Sequence, residues 1–344
     1  MSKVEIKVQF ETITPLWTGD AWMENNEIRP SSLIGSLRFW FEVICYFGGV
    51  CSAKDFDGKK GRFEKDIKND EIKKRLLKHG TDFEGQIEAL KELEVPLPAI
   101  IFGTTGWKSL IEIKEINKQN NQNSTNNYPF PINRVEFEEL KYKKDKEDKE
   151  EIKPAWYFKK GFWGNFEVVF RVPEEIKETI FFPLLSFMDK YGYWGGGWNI
   201  GYGRLRVINV KNNNEELSNW KKRNFSIFNE KNINIEGNEN QENGLVIIIE
   251  NKNNLKNKDL KIKLLKNVCE SDIEKEIENL IIEKSKLRRD IRDNKKRHEI
   301  FGKTGNIQGE DLPQGSKILP YININSECGL LSIAGILNLY QGDN

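Results

Sequence analysis

The chain has 344 residues, 54 basic against 53 acidic, and a net charge of +1. It lacks the overall basic excess common in nucleic-acid binders, so any affinity for nucleic acid has to come from local charge. Hydrophobic residues at 38% and charged residues at 31% suit a globular protein with room for two domains. Cys45, Cys51, Cys269 and Cys328 form no CxxC pair, which argues against a zinc ribbon and a secreted disulfide framework. Residues 1–11 alternate charge with apolar residues, unlike a signal or transit peptide, and no apolar run reaches membrane-spanning length. A cytoplasmic protein with no membrane partner is expected.

Residues 3–13 alternate, with Val4, Ile6, Val8 and Phe10 on one face, which predicts a half-buried strand. Thr14-Pro15 ends it, and 17–20 reads as a loop. Pro30-Ser31-Ser32 offers a helix N-cap for a helix over 33–47, where Leu33, Leu37, Trp40, Phe41, Ile44 and Phe47 repeat at helical spacing. Residues 52–94 are charged, with weak helical signals at 71–77 and 86–93. Ile100-Ile101-Phe102-Gly103 closes that region, and 110–116 alternates as a strand. Residues 117–127 are low-complexity and read as a loop, and 136–152 form a mixed-charge hairpin or helix. A strand is predicted over 162–172, a helix from Pro173-Glu174-Glu175 to about Tyr191, and a strand over 205–210.

Residues 211–243 read as a linker with an apolar patch at 225–228. Then come a strand over 245–249, one long helix over 271–298 and a strand over 317–324. The run 330–339 reads as a final strand or short helix. The fold class expected is α+β. Two ferredoxin-like, RRM-like βαββαβ units with antiparallel sheets would span 1–210 and, less regularly, 245–344, joined by 211–244. A short repeat, Ile101-Phe102-Gly103-Thr104-Thr105-Gly106 against Ile300-Phe301-Gly302-Lys303-Thr304-Gly305, is consistent with two related units.

The segment Trp194-Gly195-Gly196-Gly197-Trp198-Asn199-Ile200-Gly201-Tyr202-Gly203-Arg204-Leu205-Arg206 holds more glycine than a helix-to-strand turn needs. Glycines let a backbone approach a ligand closely. One reading is therefore a cradle for a nucleic-acid backbone, from Gly195, Gly196, Gly197, Trp198 and Asn199, with Arg204 and Arg206 on phosphates. The other is a tight connection whose tryptophans fill the core. The start of the first helix, with Arg29, Ser32, Gly35 and Arg38, reads either as an anion site or as an ordinary cap beside a solvent arginine. Arg288, Arg292, Lys295 and Lys296 fall on one face of the long helix and suit RNA backbone contact or a solvated surface. Trp17, Trp22 or Trp198 offers a stacking ring.

Catalytic patterns fail. Gly302-Lys303-Thr304 resembles a P-loop end, but Arg297 stands where that motif needs glycine. His79 and His298 are the only histidines, and neither belongs to an HExxH or HxE motif. The two GxxG runs match KH domains weakly, because strands rather than helices are predicted beside them. No enzyme, metal or cofactor is expected.

Three runs carry a family resemblance: Thr12-Ile13-Thr14-Pro15-Leu16-Trp17-Thr18-Gly19, then Arg29-Pro30-Ser31-Ser32-Leu33-Ile34-Gly35-Ser36-Leu37-Arg38-Phe39-Trp40-Phe41, then the glycine-rich loop to Leu205. The chain resembles the RAMP superfamily of CRISPR effector subunits, and the first two runs look like the first subunit of the type III-B (Cmr) complex. The resemblance implies ferredoxin-like units with the glycine-rich loop after the second helix. It also implies contact with CRISPR RNA or the guide–target duplex, neighbouring RAMP subunits as partners, and no target-cutting role. Guide-processing endoribonucleases share this fold and loop, so that activity and a protein-only scaffold are the alternatives. Family members often carry lysine where this chain has Ile34. That phosphate contact is missing or supplied elsewhere, with Arg38 the candidate.

Overall fold

The computed structural model describes residues 2–19, 24–118, 125–128, 134–143, 150–157, 160–213, 215–225, 273–290, 292–302, 318–323 and 328–342. Alternation places β1, Lys3–Thr12, at the middle of the main sheet, with Ile6, Val8 and Phe10 fully buried on one side. Around it lie β2 (Glu112–Lys118), β3 (Asn165–Pro173), β4 (Leu205–Asn212) and the short β5 (Glu215–Glu216). Their order is β5-β4-β1-β3-β2, and every neighbouring pair is antiparallel. Val8 pairs with Val210 on one side and Val168 on the other, so three strands present one apolar face. Charge-rich β2 lies at the edge, where lysines and glutamates discourage further pairing.

Two helices cover that face. α1, Pro30–Phe47, buries Leu33, Leu37, Trp40, Phe41 and Ile44, the stripe its sequence period predicts. Between α1 and β2 the chain adds α2 (Asn69–His79), α3 (Phe83–Glu92) and α4 (Leu97–Phe102). The second covering helix, α5 (174–190), has an α turn at Glu174–Ile176, a π turn at Lys177–Phe181 and a regular stretch at Phe182–Lys190. The π turn ends two residues before Pro183, which has no N–H to continue the ladder. The chain order β1-α1-β2-β3-α5-β4 with this strand order is a split βαβ arrangement.

Several elements differ from the sequence reading. α1 starts at Pro30, with Arg29 at the N-cap and no side-chain cap bond, so Ser32 lies inside the helix. Proline is suited to the first helical position because its missing N–H would be unbonded there anyway. The run around Ile100 is helix α4; a short apolar run does not reveal its period. The region 136–152 takes the hairpin of its two expected forms, Arg134–Lys143 against Glu150–Tyr157, while Thr125–Tyr128, at the end of the low-complexity run read as a loop, pairs with Gly161–Trp163. The long basic helix is two helices, α6 (Ile273–Asp290) and α7 (Asn294–Phe301). The last apolar run holds both alternatives in turn, as β7 (Cys328–Ser332) and α8 (Ile333–Gly342), with β6 (Ile318–Ile322) paired to β7. The strand predicted over 245–249 lies outside the described residues. Among the described residues, 245–344 contains one two-stranded antiparallel ladder.

The two halves share a core. Leu319, Tyr321, Leu331, Ile336 and Tyr340 belong to one buried cluster with Phe10, Trp40 and Phe187. Tyr340 Oη ties this joint to the chain after β5 by accepting the Phe225 N–H at 3.0 Å.

Candidate nucleic-acid interface

The connection from β1 to α1 is held by local polar bonds. Asn25 Oδ1 accepts the Thr18 N–H at 2.7 Å, and Thr18 Oγ1 accepts the Arg29 N–H at 3.1 Å while donating to the Glu27 carbonyl at 2.9 Å. These bonds fix where α1 begins. Its first turn contains no acidic residue, and Pro30, Ser31 and Gly35 are exposed. A Cβ added at Gly35 would meet nothing within 4 Å, so the helix surface there is open. A helix N-terminus with exposed backbone is electrostatically suited to an anion.

The glycine-rich loop touches this helix start directly. Ser36 Oγ donates to the Ser32 carbonyl and accepts the Gly195 N–H, both at 2.8 Å. Gly196 N–H donates to the Trp17 carbonyl at 2.7 Å, which ties the loop to the β1–α1 connection as well. Gly195 has φ +68°, and a Cβ there would run into the Trp17 carbonyl, so glycine is required. Residues 195–199 are all partly exposed. Trp198 packs on Phe39 and Trp40, with ring centroids 5.1 and 6.0 Å away, and its Nε1 reaches the Trp194 carbonyl at 3.4 Å.

From Ile200 onward the loop is buried up to Leu205. Gly201 packs toward Pro320 and Ile277, and Tyr193 Oη donates to the Pro320 carbonyl at 2.8 Å. Arg204 has no exposed surface. Its guanidinium donates to the carbonyls of Ile322 at 2.9 Å, Lys190 at 2.6 Å and Gly192. It lies between the rings of Tyr193 and Tyr321, with its central carbon 5.3 and 4.8 Å from their centroids. The carbonyls of Lys190 and Gly192 lie at and just past the end of α5, where helix polarity favours a cation. Arg204 therefore braces the C-terminal hairpin against α5 and has no surface from which to meet a phosphate.

Other predicted contacts are also redistributed. Arg38 donates to Glu42 at 2.8 Å, Glu64 at 3.1 Å and the Gly103 carbonyl at 2.8 Å, so it clasps α1 to the inserted helices and does not replace the lysine absent at Ile34. Arg206 pairs with Glu11 on the opposite face of the sheet from α1. Arg29 remains partly exposed, 3.9 Å from Glu27. The break between α6 and α7 separates Arg288 from Arg292 and Lys295, so they do not share one helix face; Arg292 and Lys295 are exposed. The side chain of Lys296 and all of Trp22 lie outside the described residues.

A family model described as the RAMP superfamily matches residues 9–206, more than half of the chain. The chain belongs to the RAMP superfamily. Solved structures give weaker likenesses. One is the crystal structure of Cmr1 from Pyrococcus furiosus in its apo form, with 14% identity, TM-score 0.39, and coverage of 95% of this chain and 88% of that one. Another is the cryo-EM structure of the type III-B Cmr-beta complex bound to cognate target RNA, with 12% identity, TM-score 0.27, and coverage of 61% and 60%. No curated protein matches the chain.

In this RAMP protein the face of the sheet away from α1 and α5 is not an aromatic platform of the RNA-recognition kind. β1 turns Lys3, Glu5, Lys7, Gln9 and Glu11 outward, and neighbouring strands answer with charge. Lys3 meets Glu112 at 2.9 Å, while Glu5 meets Lys114 at 2.6 Å and Arg171 at 3.3 Å. β1 and β3 offer no outward ring on which a base could stack. The GxxG runs also acquire a structural reason. Gly103 ends α4 and Gly302 ends α7, at φ +86° and +84°, each N–H donating four residues back.

Ser36 belongs to the helix-start run that the sequence singles out, but its bond to the loop at Gly195 has no signal in the sequence. Lys284 opens the basic stretch, which reads as charge for RNA or solvent; the structure instead buries it and has it donate to the Asn199 carbonyl at 3.2 Å. Burial, and then the charge of Arg288, lower the Lys284 pKa to about 7. His79 lies 2.5 Å from Glu92 across the α2–α3 hairpin, with Arg75 and Lys78 on the same carboxylate. Among the described residues no cluster of three or more metal-ligating side chains occurs, and no helix is long and apolar enough to cross a membrane.

Proposed function

We propose that this RAMP protein is a non-catalytic RNA-binding subunit of a type III CRISPR effector complex, holding the backbone of guide RNA or of a guide–target duplex. The observation that carries this reading is the Ser36 bridge, which joins the first turns of α1 to the partly exposed Gly195–Asn199 backbone. Open helix surface and an acid-free first turn suit a polyanion. In this reading CRISPR RNA, and target RNA where the two pair, is the nucleic-acid partner, and other RAMP subunits are the protein partners. In place of the expected boundary at 210, the RNA-binding unit runs through β5 and the core residues Trp220 and Phe225, and 245–344 forms a second, partial ferredoxin-like unit.

Gly35→Glu tests the site with little risk to folding, because the new side chain enters open space on a helix. It places a negative charge beside the Ser36 bridge. Filter binding of single-stranded RNA should weaken by roughly tenfold and become less salt-dependent, since an unfavourable charge now faces the phosphates. Unchanged affinity would remove this face from the mechanism. A wild-type chain with no RNA affinity at low salt, yet able to assemble with other RAMP subunits, would instead identify a protein-only scaffold. Site-specific RNA cleavage abolished by His79→Ala would identify an endoribonuclease.

A further inference from the structure

We infer that Lys284 is a positioning residue for RNA: from α6 it holds the turn Trp198–Ile200 of the glycine-rich loop in the form that meets the RNA backbone. The inference rests on the RNA-binding reading above. Lys284 stands where an apolar side chain is expected. Ile277, Leu280, Ile281 and Lys284 recur at helical spacing on α6; the first three have no exposed surface and Lys284 is 1% exposed. A leucine or methionine would complete that stripe, whereas an amine has to leave water and find a partner. The partner is the Asn199 carbonyl, which accepts from Nζ at 3.2 Å. A position that breaks the local pattern at a cost is where a role beyond packing is expected.

The turn it reaches has a hinge at each end. Gly197 and Gly201 take left-handed conformations, φ +77° and +80°, on either side of Trp198–Ile200. The Ile200 and Gly201 N–H groups donate to the Gly197 and Trp198 carbonyls, both at 3.0 Å, and the Tyr202 N–H donates to the Gly197 carbonyl at 3.2 Å. Both ends of these bonds belong to the loop, so they give the turn its shape and not its placement. Neighbours set the placement. The Trp198 ring packs on Phe39 of α1, its centroid 5.1 Å away, and Lys284 draws the next residue's carbonyl toward α6. Asn199 is partly exposed, so this bond fixes the backbone where the loop leaves the surface. It also keeps turned inward an oxygen that would repel phosphate. The C-terminal half thereby sets the geometry of a surface that α1 and the loop present.

The test pairs amide hydrogen exchange with RNA affinity, both on the full chain. Lys284→Met keeps the apolar stem and removes the donor. Without RNA, the amides of 198–202 should exchange severalfold faster than in wild type, while those of β1 do not. Fluorescence anisotropy with a labelled single-stranded RNA should show roughly fivefold weaker binding, the low end of coupling between distinct elements. The slope of log K against log salt should stay the same, because Lys284 itself meets no phosphate. Lys284→Arg, which restores a charged donor, should recover most of the affinity. Lys284→Gln, whose amide stops short of Asn199, should not, and it gives the same readout should Lys284→Met fold poorly. Unchanged exchange at the turn, or faster exchange with unchanged affinity, overturns the positioning role. A reduced salt slope reassigns Lys284 to direct phosphate contact and also overturns it. Weaker binding in Gly35→Glu but not in Lys284→Met sinks this inference alone; no RNA binding by the wild-type chain sinks both readings.

Discussion

The upstream half of the glycine-rich loop, 195–199, is partly exposed and bonded to α1 and Trp17, whereas the downstream half, 200–204, is buried against the C-terminal hairpin. Both halves use glycine, but for different reasons. Gly195 lets the backbone pass close to Trp17 while remaining at the surface; Gly203, at φ +87°, lies where a Cβ would strike the Trp194 carbonyl inside the molecule. The same division separates the cations. Arg204 serves the fold and is fully enclosed, while the surface half presents backbone and helix polarity rather than an arginine of its own. A glycine- and arginine-rich run is therefore a mixture of joint and surface, and each substitution tests one side of that division.

The largest effect is expected at the joint. Arg204→Ala leaves three carbonyls without their guanidinium donor and empties the space between Tyr193 and Tyr321. Bonds from a charged donor contribute about 1.5–3 kcal/mol each but do not add fully, so a destabilisation of about 3 kcal/mol or more is expected. Urea unfolding measures it. A change below about 1 kcal/mol, together with a specific fall in RNA affinity, would reverse the assignment of Arg204.

Lys284 tests the border between the halves, because its amine meets the Asn199 carbonyl from the C-terminal side. Its pKa falls from 10.5 to about 7 on folding. Below pH 7 both the folded and unfolded chains carry the proton, and the cost of burying the charge is present in full. Between about 7 and 10.5 the unfolded chain binds a proton that the folded chain has released, so this cost fades as pH rises. Lys284→Met should therefore be more stable than wild type at pH 6, by about 1 kcal/mol or more, with the gain shrinking toward pH 10. Denaturant midpoints at the two pH values check this. A pH-independent difference would mean that Lys284 is not desolvated.

The two sides of this division were unequally legible in the sequence. β1 and β3 alternate, and α1 repeats at helical spacing, so the sheet and its first covering helix follow from local pattern. α4 does not, because six consecutive apolar residues suit a strand or a helix equally well. The break before α7 has a local signal that the charge pattern overshadows: Asp293-Asn294 is a helix-start composition. Arg204 has no usable local signal. Its acceptors come from Lys190, Gly192 and Ile322, and one of its stacking rings is Tyr321, more than a hundred residues away. Residue type announces a cation in a glycine-rich run; only the tertiary contacts decide whether that cation faces solvent. For the same reason Arg38 reads as a phosphate ligand until the fold brings Glu42, Glu64 and Gly103 to it.

The smallest effect lies at Gly35, where the surface half meets α1. A glycine inside an 18-residue helix weakens it relative to alanine, and nothing within 4 Å of the position demands the absence of a Cβ. Gly35→Ala should stabilise the chain by about 0.5–1 kcal/mol, read as a higher unfolding midpoint. If Gly35 is kept for close approach of an RNA backbone, the same methyl group should weaken RNA binding severalfold even as it stabilises the fold. Stability and affinity would then move in opposite directions at one atom, which neither a general loosening of structure nor a general gain in rigidity produces. A stabilised variant that binds RNA as tightly as wild type would leave Gly35 outside the contact and narrow the surface half to the loop and the Ser36 bridge.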